Sequence, residues 1–412
     1  MLQNMESFRL TTIVICILIF TPFSGGQELA SVQSPPWWSN LEYTPLFEDL
    51  QPGTDTKGWS VIGGDSTVSY TWAKDPNPRA GTPGMLLQGT GRAPNNAFLT
   101  SEKIYGDFLL EVEVRIDKDG GNSGIQIRSH PYKEGKTLRG YQIEIDPSDR
   151  KWSGGLYDEQ RRGWLDSLED NVTAQEAFAL GEWNTYRILC VGPRIQTWIN
   201  DVPAANHLDM MDLSGHIGFQ VHGGACDVQW RNARIADLGM RSWKTVLPSS
   251  NESTVRISGL TASNTGFNVD LDGAVISASD LLPDATSVII ISGILKSGTI
   301  RIQLGDTENP EKDAYLLRIP PPLGTPENNT PGTIEIIREP QGITTIINGA
   351  PLVPGAPNLS GPLEMSVSFM PGSLGQLTSI RVLPPGELEL KAMKRKTTPA
   401  VVNDKKDPVK DS

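Results

Sequence analysis

The segment between Gly140 and Leu165 combines carboxylates, arginines and aromatic rings within a short stretch of the chain. It opens with alternating side chains, so that Gln142, Glu144 and Asp146 share one face of a predicted strand. Side chains two residues apart on a strand lie roughly 7 Å apart, which suits hydrogen bonds to successive hydroxyls of a sugar or to a bound water. We therefore expect a sheet with a polar face, and chemistry at that face.

A second alternating segment adds a histidine to this face. Between Ser214 and Gly224, apolar side chains alternate with Gly218, Gln220 and His222, which predicts a strand with one face in the core and the other in a cleft. Any one of these polar residues alone is most simply a surface group. Their clustering on one face by independent strands favours a site.

The elements that position these residues are predicted to be strands. From 58 to 240, short alternating runs are separated by clusters of Gly, Pro, Asn and Asp, a pattern typical of an all-β sandwich. A helix is expected only near Thr173 to Leu180. The sequence therefore predicts a first β domain over 58–240.

A second copy of the pattern follows over 250–385. Residues 297–304 resemble 122–129, and 343–351 resemble 195–203, which predicts a second, diverged sandwich. Where the first copy has Gln142, Glu144 and His222, the second has Leu316, Arg318 and Ser368. We expect only the first copy to retain a working face.

The two ends of the sequence differ from these domains. Arg9 precedes an apolar run from Leu10 to Phe20, which is shorter than a membrane span and predicts a signal peptide over 1–26, cleaved before Gln27. The mature protein is expected to be periplasmic or secreted, with no membrane span. Residues 27–57 are interpreted as an ordered arm, and 386–412 as a disordered charged tail.

Charge and cysteine content limit the partners and the redox state. The net charge of −12 argues against binding to nucleic acid, which requires a basic surface. After removal of the signal peptide, Cys190 and Cys226 remain. An oxidising compartment permits a disulfide between them, and two buried free thiols are an equal alternative.

Several segments together resemble one known family. The chain is similar to the DUF1080 or 3-keto-disaccharide hydrolase-like domains, which are jelly-roll sandwiches related to concanavalin-like lectins and glucanases. The matching pieces are 121–125, 140–165, 181–186, 197–200, 218–223 and 230–235. The resemblance implies a concanavalin/LamG-like jelly roll for the first domain. Together with the internal repeat, it gives an expected all-β fold of two such sandwiches in tandem, the second diverged and without transferable functional residues.

The resemblance also implies a carbohydrate-active enzyme that acts on sugars oxidised at C3. A base removes the C2 proton, which the 3-keto group acidifies, and the C1 substituent leaves before water adds. Such a route needs a base, donors for the oxyanion and an acid at the leaving oxygen. The expected catalytic residues are Glu144 or His222 as base and proton shuttle, with Asp146 orienting the histidine or binding substrate. The expected substrate-binding residues are Gln126, Arg128, Gln142, Tyr157, Arg162, Trp164 and Gln220.

Three alternatives stay open at this point. A divalent metal held by Glu144, Asp146 and His222 is possible, although the sequence has no short-spaced metal motif. Glu144 with Asp158 or Glu159 also fits a glycoside hydrolase that uses two carboxylates. Finally, the chain fits a carbohydrate-binding or envelope interaction protein without turnover. A GxSxG elbow and a P-loop are absent from the sequence, which excludes those hydrolase classes.

Overall fold

A computed structural model describes residues 46–50, 57–78, 84–247, 255–264, 266–269, 273–282, 286–305, 315–328, 330–339, 342–356 and 363–386. These residues belong to two compact units, one up to Arg241 and one from Ser242 to Pro384. The predicted signal peptide, most of the predicted arm and the predicted tail beyond Gly386 lie outside the described residues. Within those residues, none of the helices has the length and apolar character to cross a membrane.

The first unit is a sandwich of two antiparallel sheets. Its elements are β1 Glu48–Asp49, β2 Trp59–Gly63, β3 Ser69–Lys74, β4 Met85–Gly91, β5 Ala97–Ser101, β6 Asp107–Ile116, β7 Ser123–Tyr132, β8 Thr137–Ile145, β9 Leu156–Glu159, β10 Gly163–Asp166, α1 Val172–Gln175, β11 Asn184–Val191, β12 Arg194–Ile199, β13 Val202–Leu208, β14 His216–Val221 and β15 Cys226–Gly239. One sheet has the order β13-β12-β11-β6-β15-β4-β3, with β1 beside β15, and the other has the order β10-β9-β8-β7-β14-β5-β2.

The core of this sandwich follows from period-two alternation. Every second residue of β6 from Phe108 to Ile116 is at most 1% exposed, and Ile125 and Ile143 of the facing sheet are fully buried. Each sheet therefore buries one face in the core. The opposite face of β8 and β14 lies outside this core. The predicted helix exists only as the single turn α1, which Asn171 caps by accepting a hydrogen bond from the Ala174 amide.

The second unit is also a sandwich of two antiparallel sheets. Its elements are β16 Lys244–Leu247, β17 Val255–Ser258, β18 Leu260–Ser263, β19 Gly266–Val269, β20 Ala274–Leu282, β21 Ser287–Ser297, β22 Ile300–Gly305, β23 Tyr315–Ile319, the 3-10 turn Pro326–Asn328, β24 Gly332–Glu339, β25 Gly342–Ile347, β26 Ala350–Ala356, β27 Leu363–Phe369 and β28 Leu374–Leu383. The sheet orders are β26-β25-β24-β21-β28-β19-β18, with β16 beside β28, and β23-β22-β27-β20-β17.

The two sandwiches share one topology. When β16 to β23 are matched to β1 to β8, and β24 to β28 to β11 to β15, the neighbours in every sheet are the same. Between β23 and β24 the described residues of the second copy contain no counterpart of β9, β10 or α1. The fold class is confirmed, and the second copy lacks the hairpin that follows the polar strand of the first.

The strand pairings show that two of the predicted equivalences cannot both hold. Alignment of 297–304 with 122–129 places Ile300 at Ile125, and because Ile125 pairs with Ile143 and Ile300 pairs with Ile319, it places Ile319 at Ile143. Alignment of Leu316 with Gln142 instead places Leu317 at Ile143. The two alignments differ by two residues, which is one step along the same face of a strand.

Candidate functional site

A cavity of about 730 Å³ opens on the polar face of β8 and β14 in the first sandwich. Strands β8, β9, β10 and β14 contribute lining residues, and loops around Asn96, Lys118 and Asn122 and from Pro147 to Arg150 complete the wall. Seven of the ten predicted site residues line this cavity. They are Gln142, Glu144, Asp146, Tyr157, Trp164, Gln220 and His222.

Glu144 is a nearly buried carboxylate in this cavity, with 5% of its surface exposed. Oε1 accepts a hydrogen bond from Asn122 Nδ2 at 2.8 Å and lies 3.5 Å from an Arg150 guanidinium nitrogen. Oε2 accepts from Gln142 Nε2 at 3.1 Å. Because a carboxylate has about four lone-pair positions, Glu144 keeps capacity for one further proton or donor.

The environment makes Glu144 a stronger base than an exposed glutamate. Burial raises its pKa above the ordinary value, and the nearby charge of Asp146 acts in the same direction. Hydrogen bonds from Asn122 and Gln142 and the charge of Arg150 oppose the rise without cancelling it. A raised pKa brings a carboxylate closer to the range in which general bases work best at neutral pH.

Three glutamines beneath the cavity hold Glu144 in place. Gln142 Oε1 accepts hydrogen bonds from Gln126 Nε2 at 2.6 Å and from Gln220 Nε2 at 2.9 Å. Gln126 is anchored in turn by the Ser129 hydroxyl, which donates to its Oε1 at 2.6 Å. A Cβ atom at Gly124 would overlap the Gln142 side chain, so this strand position requires glycine.

Asp146 and Arg150 form a charged edge beside Glu144. Asp146 accepts hydrogen bonds from the Ser148 amide at 3.1 Å and from Arg150 Nε at 2.8 Å. Although partial burial acts in the opposite direction, these bonds hold the pKa of Asp146 below its ordinary value. Asp146 therefore stays ionised and orients Arg150, and its predicted role of orienting His222 is not what the structure places there.

Aromatic rings form one wall of the cavity. Trp164 lies edge to face with Trp152 at 4.8 Å and with Tyr157 at 5.2 Å between ring centroids. The Arg150 guanidinium lies 4.8 Å from the Trp152 ring centre and 4.9 Å from that of Trp164. Burial and the charges of Glu159 and Glu144 raise the pKa of Tyr157, so its hydroxyl stays protonated and available as a donor.

His222 directly follows β14, is half-buried and lines the cavity. Its Nδ1 lies 2.8 Å from the carbonyl oxygen of Gly223. Because a carbonyl oxygen only accepts hydrogen bonds, Nδ1 is the donor in that contact.

Three predicted substrate-binding residues lie elsewhere. Arg128 is fully buried and donates to the carbonyls of Gly106 and Gly192 and to Asp107. Arg162 pairs with Asp158 and Asp209. Gln126 is fully buried behind Gln142 and does not reach the cavity. None of the three lines the cavity, and Arg128 and Arg162 form ion pairs within the fold.

Other residues of the site were missed by sequence reasoning. Asn122 and Arg150 contact Glu144 directly, and Lys118 and Asn96 also line the cavity. Asn122 lay in a segment that supported the resemblance, and Arg150 lay in the opening segment, but loop residues carry no periodicity that assigns them to a face. Glu159, one of the alternative carboxylates named from the sequence, also lines the cavity and is 7% exposed.

The candidate metal ligands do not form a metal site. In the part of the chain that the structure describes, no three His, Cys, Asp or Glu side chains lie close enough to hold a metal ion. The Asp146 carboxylate is already bound to Arg150 and to its own loop. Glu144, Asp146 and His222 therefore do not fit a metal ion in this arrangement.

The family model of the 3-keto-alpha-glucoside-1,2-lyase-like domain matches residues 42–236. The matched residues span nearly all of the first sandwich, which is therefore similar to this family. The match confirms the resemblance drawn from the sequence and indicates a carbohydrate-active protein. Among curated proteins, none matches the chain.

Several solved structures are similar to the chain at low identity. A Bacillus subtilis protein of unknown function with a galectin-like fold is 11% identical, with 47% of this chain and 98% of that chain covered and a TM-score of 0.32. The carbohydrate-binding module CBM66 from Bacillus subtilis is 16% identical, with 43% and 94% covered and a TM-score of 0.29. A β-1,3-1,4-glucanase (lichenase) from a mouse hindgut metagenome is 13% identical, with 47% and 99% covered and a TM-score of 0.29. Similarities this low carry no argument about function.

Proposed function

We propose that the first sandwich cleaves 3-keto-glycosides by proton abstraction at C2 and loss of the C1 substituent. The observation that carries this proposal is Glu144, a nearly buried carboxylate with a raised pKa at the floor of a sugar-sized cavity. The family match supports the substrate class. The same cavity offers donors beside that carboxylate, in Asn122, Arg150 and Lys118.

The proposed step balances as follows. Glu144 takes the proton from C2, and the electron pair of the C–H bond is delocalised onto the C3 oxygen as an enolate. Arg150 and Asn122 lie beside Glu144 and supply positive charge and a donor near that oxyanion. The enolate then re-forms the ketone as the C1=C2 bond forms and the C1–O bond breaks, and the departing oxygen takes the proton that Glu144 accepted. Addition of water across the new C1=C2 bond completes a net hydrolysis.

The aromatic wall supports the binding of a pyranose. Trp164 is half-buried and borders the cavity, so an apolar face of the sugar can pack on its ring. Tyr157 presents a protonated hydroxyl on the same wall. Together these rings position the sugar over the floor that carries Glu144.

The experiment compares turnover of a 3-keto-glucoside by the wild type, Glu144→Gln and Glu159→Gln. We expect Glu144→Gln to be slower by at least about 100-fold, the lower range for loss of a general base, and Glu159→Gln to stay within a few-fold of wild type. A substrate deuterated at C2 is expected to react more slowly than the protiated substrate. Equal rates for wild type and Glu144→Gln, or release of the C1 substituent without an isotope effect, would remove this mechanism.

A classical two-carboxylate glycoside hydrolase is the second candidate, favoured by the presence of Glu159 in the same cavity. Glu159 pairs with Gly140, four residues before Glu144, so the two Cα atoms lie about 13 Å apart along the strand direction. The two side chains would have to reach toward each other to bring their carboxylates to the separation of about 6.5–9.5 Å that inverting enzymes use. Asp158 is excluded, because Arg161 and Arg162 hold its carboxylate away from the cavity. Cleavage of an unoxidised glycoside that requires Glu159 would favour this candidate.

We further propose that the protein acts in the periplasm or outside the cell. The support is the run from Leu10 to Phe20 behind Arg9, which has the length and composition of a signal peptide. Cell fractionation and determination of the mature N-terminus test this proposal, with Gln27 expected as the first residue. A full-length chain in the cytoplasm would contradict it.

A further inference from the structure

One polar atom in the cavity has no partner. Gln220 is fully buried, lines the cavity and donates from Nε2 to Gln142 Oε1 at 2.9 Å. Its Oε1 is buried and makes no hydrogen bond to any described residue. A buried acceptor left unsatisfied costs about 1–3 kcal/mol, so native proteins retain few of them and those few call for a ligand or a bound water.

The orientation of this acceptor follows from the charge of Glu144. An ionised carboxylate only accepts hydrogen bonds, so Gln142 must turn its NH₂ group toward Glu144 Oε2. Gln142 Oε1 then points the other way and must receive NH₂ groups from Gln126 and Gln220. Reversal of the Gln220 amide would place two carbonyl oxygens against each other. The network therefore fixes Gln220 Oε1 as a free acceptor whenever Glu144 is charged.

We propose that Gln220 Oε1 accepts a hydrogen bond from a hydroxyl of the bound sugar and so selects glycones that carry a donor at that position. The inference rests on the proposed function, which places C2 of the sugar at Glu144. Two hydrogen bonds and one amide group separate Gln220 Nε2 from Glu144 Oε2, a distance of at most about 8 Å. Gln220 therefore lies within the reach of a sugar whose C2 is at Glu144, and the hydroxyls at C4 and C6 are the candidates that lie outside the reacting atoms C1 to C3.

The second sandwich is consistent with a role for Gln220 specific to the first. Strand β23, the counterpart of β8, reads YLLRI and contains neither glutamate nor glutamine. Strand β27, the counterpart of β14, contains no glutamine. The carboxylate, the glutamine that transmits its orientation and the acceptor thus have no counterpart in these two strands.

The test uses three sugars and three forms of the full chain. The sugars are a methyl 3-keto-glucoside and its 4-deoxy and 6-deoxy analogues, and the proteins are wild type, Gln220→Met and Gln126→Met. Methionine has nearly the volume of glutamine and cannot take its place in the network. Gln126→Met is the matched control, because it removes the other donor to Gln142 from a residue that does not line the cavity.

We expect the wild type to prefer the parent sugar over one of the deoxy analogues by about ten-fold in kcat/KM, the effect of one neutral hydrogen bond to a buried group. Gln220→Met is expected to treat the parent and that analogue alike, and Gln126→Met to keep the preference. Equal treatment of all three sugars by the wild type, or an unchanged preference in Gln220→Met, overturns the inference.

Binding of the same sugars, measured by calorimetry, separates this inference from the proposed function. Suppose that no sugar is turned over, but the parent sugar binds ten-fold more tightly than one deoxy analogue and Gln220→Met removes this difference. That result would contradict the lyase proposal and still support the role of Gln220. Turnover of all three sugars with equal affinities would support the lyase proposal and overturn the role of Gln220. Circular dichroism of both methionine variants verifies that each is folded, and Gln126→Met reports the effect of disturbing the network alone.

Discussion

Gln142 donates a hydrogen bond to Glu144 across 3.1 Å from Nε2 to Oε2, and both side chains are almost completely buried. The two residues alternate on one strand, so their contact is set by the local geometry of β8. This contact also affects two other strands, because Gln126 of β7 and Gln220 of β14 must turn their NH₂ groups toward Gln142 Oε1. The charge of one carboxylate thereby orders amides on three strands.

The first prediction concerns stability as a function of pH. The folded-state pKa of Glu144 is raised above the value of 4.5 that it has when exposed, mainly by burial. A group of this kind contributes stability that is fully present below its unfolded pKa and is lost as pH rises through the folded pKa. We expect the free energy of unfolding of the wild type to contain such a fall above pH 4.5, and that of Glu144→Gln to lack it.

Denaturant titrations at several pH values measure this difference. The quantity compared is the pH dependence of the two unfolding free energies, because Glu144→Gln also alters hydrogen bonds with Asn122 and Gln142. Parallel curves for the two proteins between pH 4 and 8 would show that Glu144 is not perturbed by burial.

The second prediction concerns Arg150 and the pH dependence of activity. The positive charge of Arg150 lowers the pKa of Glu144, against the larger effect of burial. In Arg150→Met the pKa of Glu144 is expected to rise further, so that the acid limb of the kcat/KM profile moves to higher pH. The plateau is also expected to fall, because a cation near the oxyanion is lost.

Arg162→Met is the control for Arg150→Met. Arg162 is also half-exposed, but it pairs with Asp158 and Asp209 and does not line the cavity. Its replacement should leave the acid limb where it is in the wild type. A shift of similar size in both variants would mean that the limb reports general electrostatics and not Glu144.

Much of the fold and part of the site follow from sequence alone. Alternation with period two is a local property, so it correctly placed Gln142, Glu144 and Asp146 on one face and Gln220 and His222 on another strand of the same face. The repeat likewise anticipated the second sandwich, because matching strands keep their order along the chain. The family match supports the same reading of the first domain.

The residues that the sequence analysis expected in the site and the structure places elsewhere lie where the backbone departs from the regular alternation of a strand. Arg128 has φ of +45°, and the registers of β7 shift between Ile127 and His130 against β8 and between His216 and Gly218 against β14. This irregularity turns Arg128 away from the face of Gln126 and toward Asp107 and Gly192. Arg162 follows a turn in which Gln160 has φ of +59°, and its side chain pairs with Asp158 and Asp209 and does not line the cavity. Neither bulge nor turn has a signal in the periodicity.

The third prediction concerns the contribution of Arg128 to stability. Arg128 is a fully buried cation that pairs with Asp107 and donates to two carbonyls. Loss of one member of a buried ion pair typically costs about 3–5 kcal/mol. We expect Arg128→Met to lose about 3 kcal/mol in the free energy of unfolding, with Arg241 still pairing with Asp107, and to retain activity per folded molecule.

The exposed Arg139 of β8 provides the comparison. Its guanidinium packs only over the Tyr132 ring at 5.1 Å, so Arg139→Met should change stability by no more than about 0.5 kcal/mol. Guanidinium titrations of both variants give the two values. If Arg128→Met were stable but impaired in KM for a 3-keto-glucoside, the predicted role in substrate binding would return.

The fourth prediction concerns the two cysteines of the first sandwich. Both are free and buried, and burial raises the pKa of the Cys190 thiol to about 12 and that of Cys226 to about 11. They lie on β11 and β15, on opposite sides of β6, with Cys190 beside Phe108 and Cys226 beyond the position of Ile116. The eight residue steps from Phe108 to Ile116 extend over about 27 Å, far beyond the separation of about 7 Å that a disulfide tolerates.

The structure therefore predicts two unreactive thiols even in an oxidising compartment. Without reductant, iodoacetamide should leave the peptides that contain Cys190 and Cys226 unmodified in the native protein and should alkylate both in guanidinium, because unfolding removes the burial that keeps each thiol protonated. Mass spectrometry of the digested protein follows the two peptides separately. A cross-linked Cys190–Cys226 peptide, or resistance to alkylation in guanidinium that only a reductant relieves, would mean that β11 and β15 are not arranged around β6 in this way.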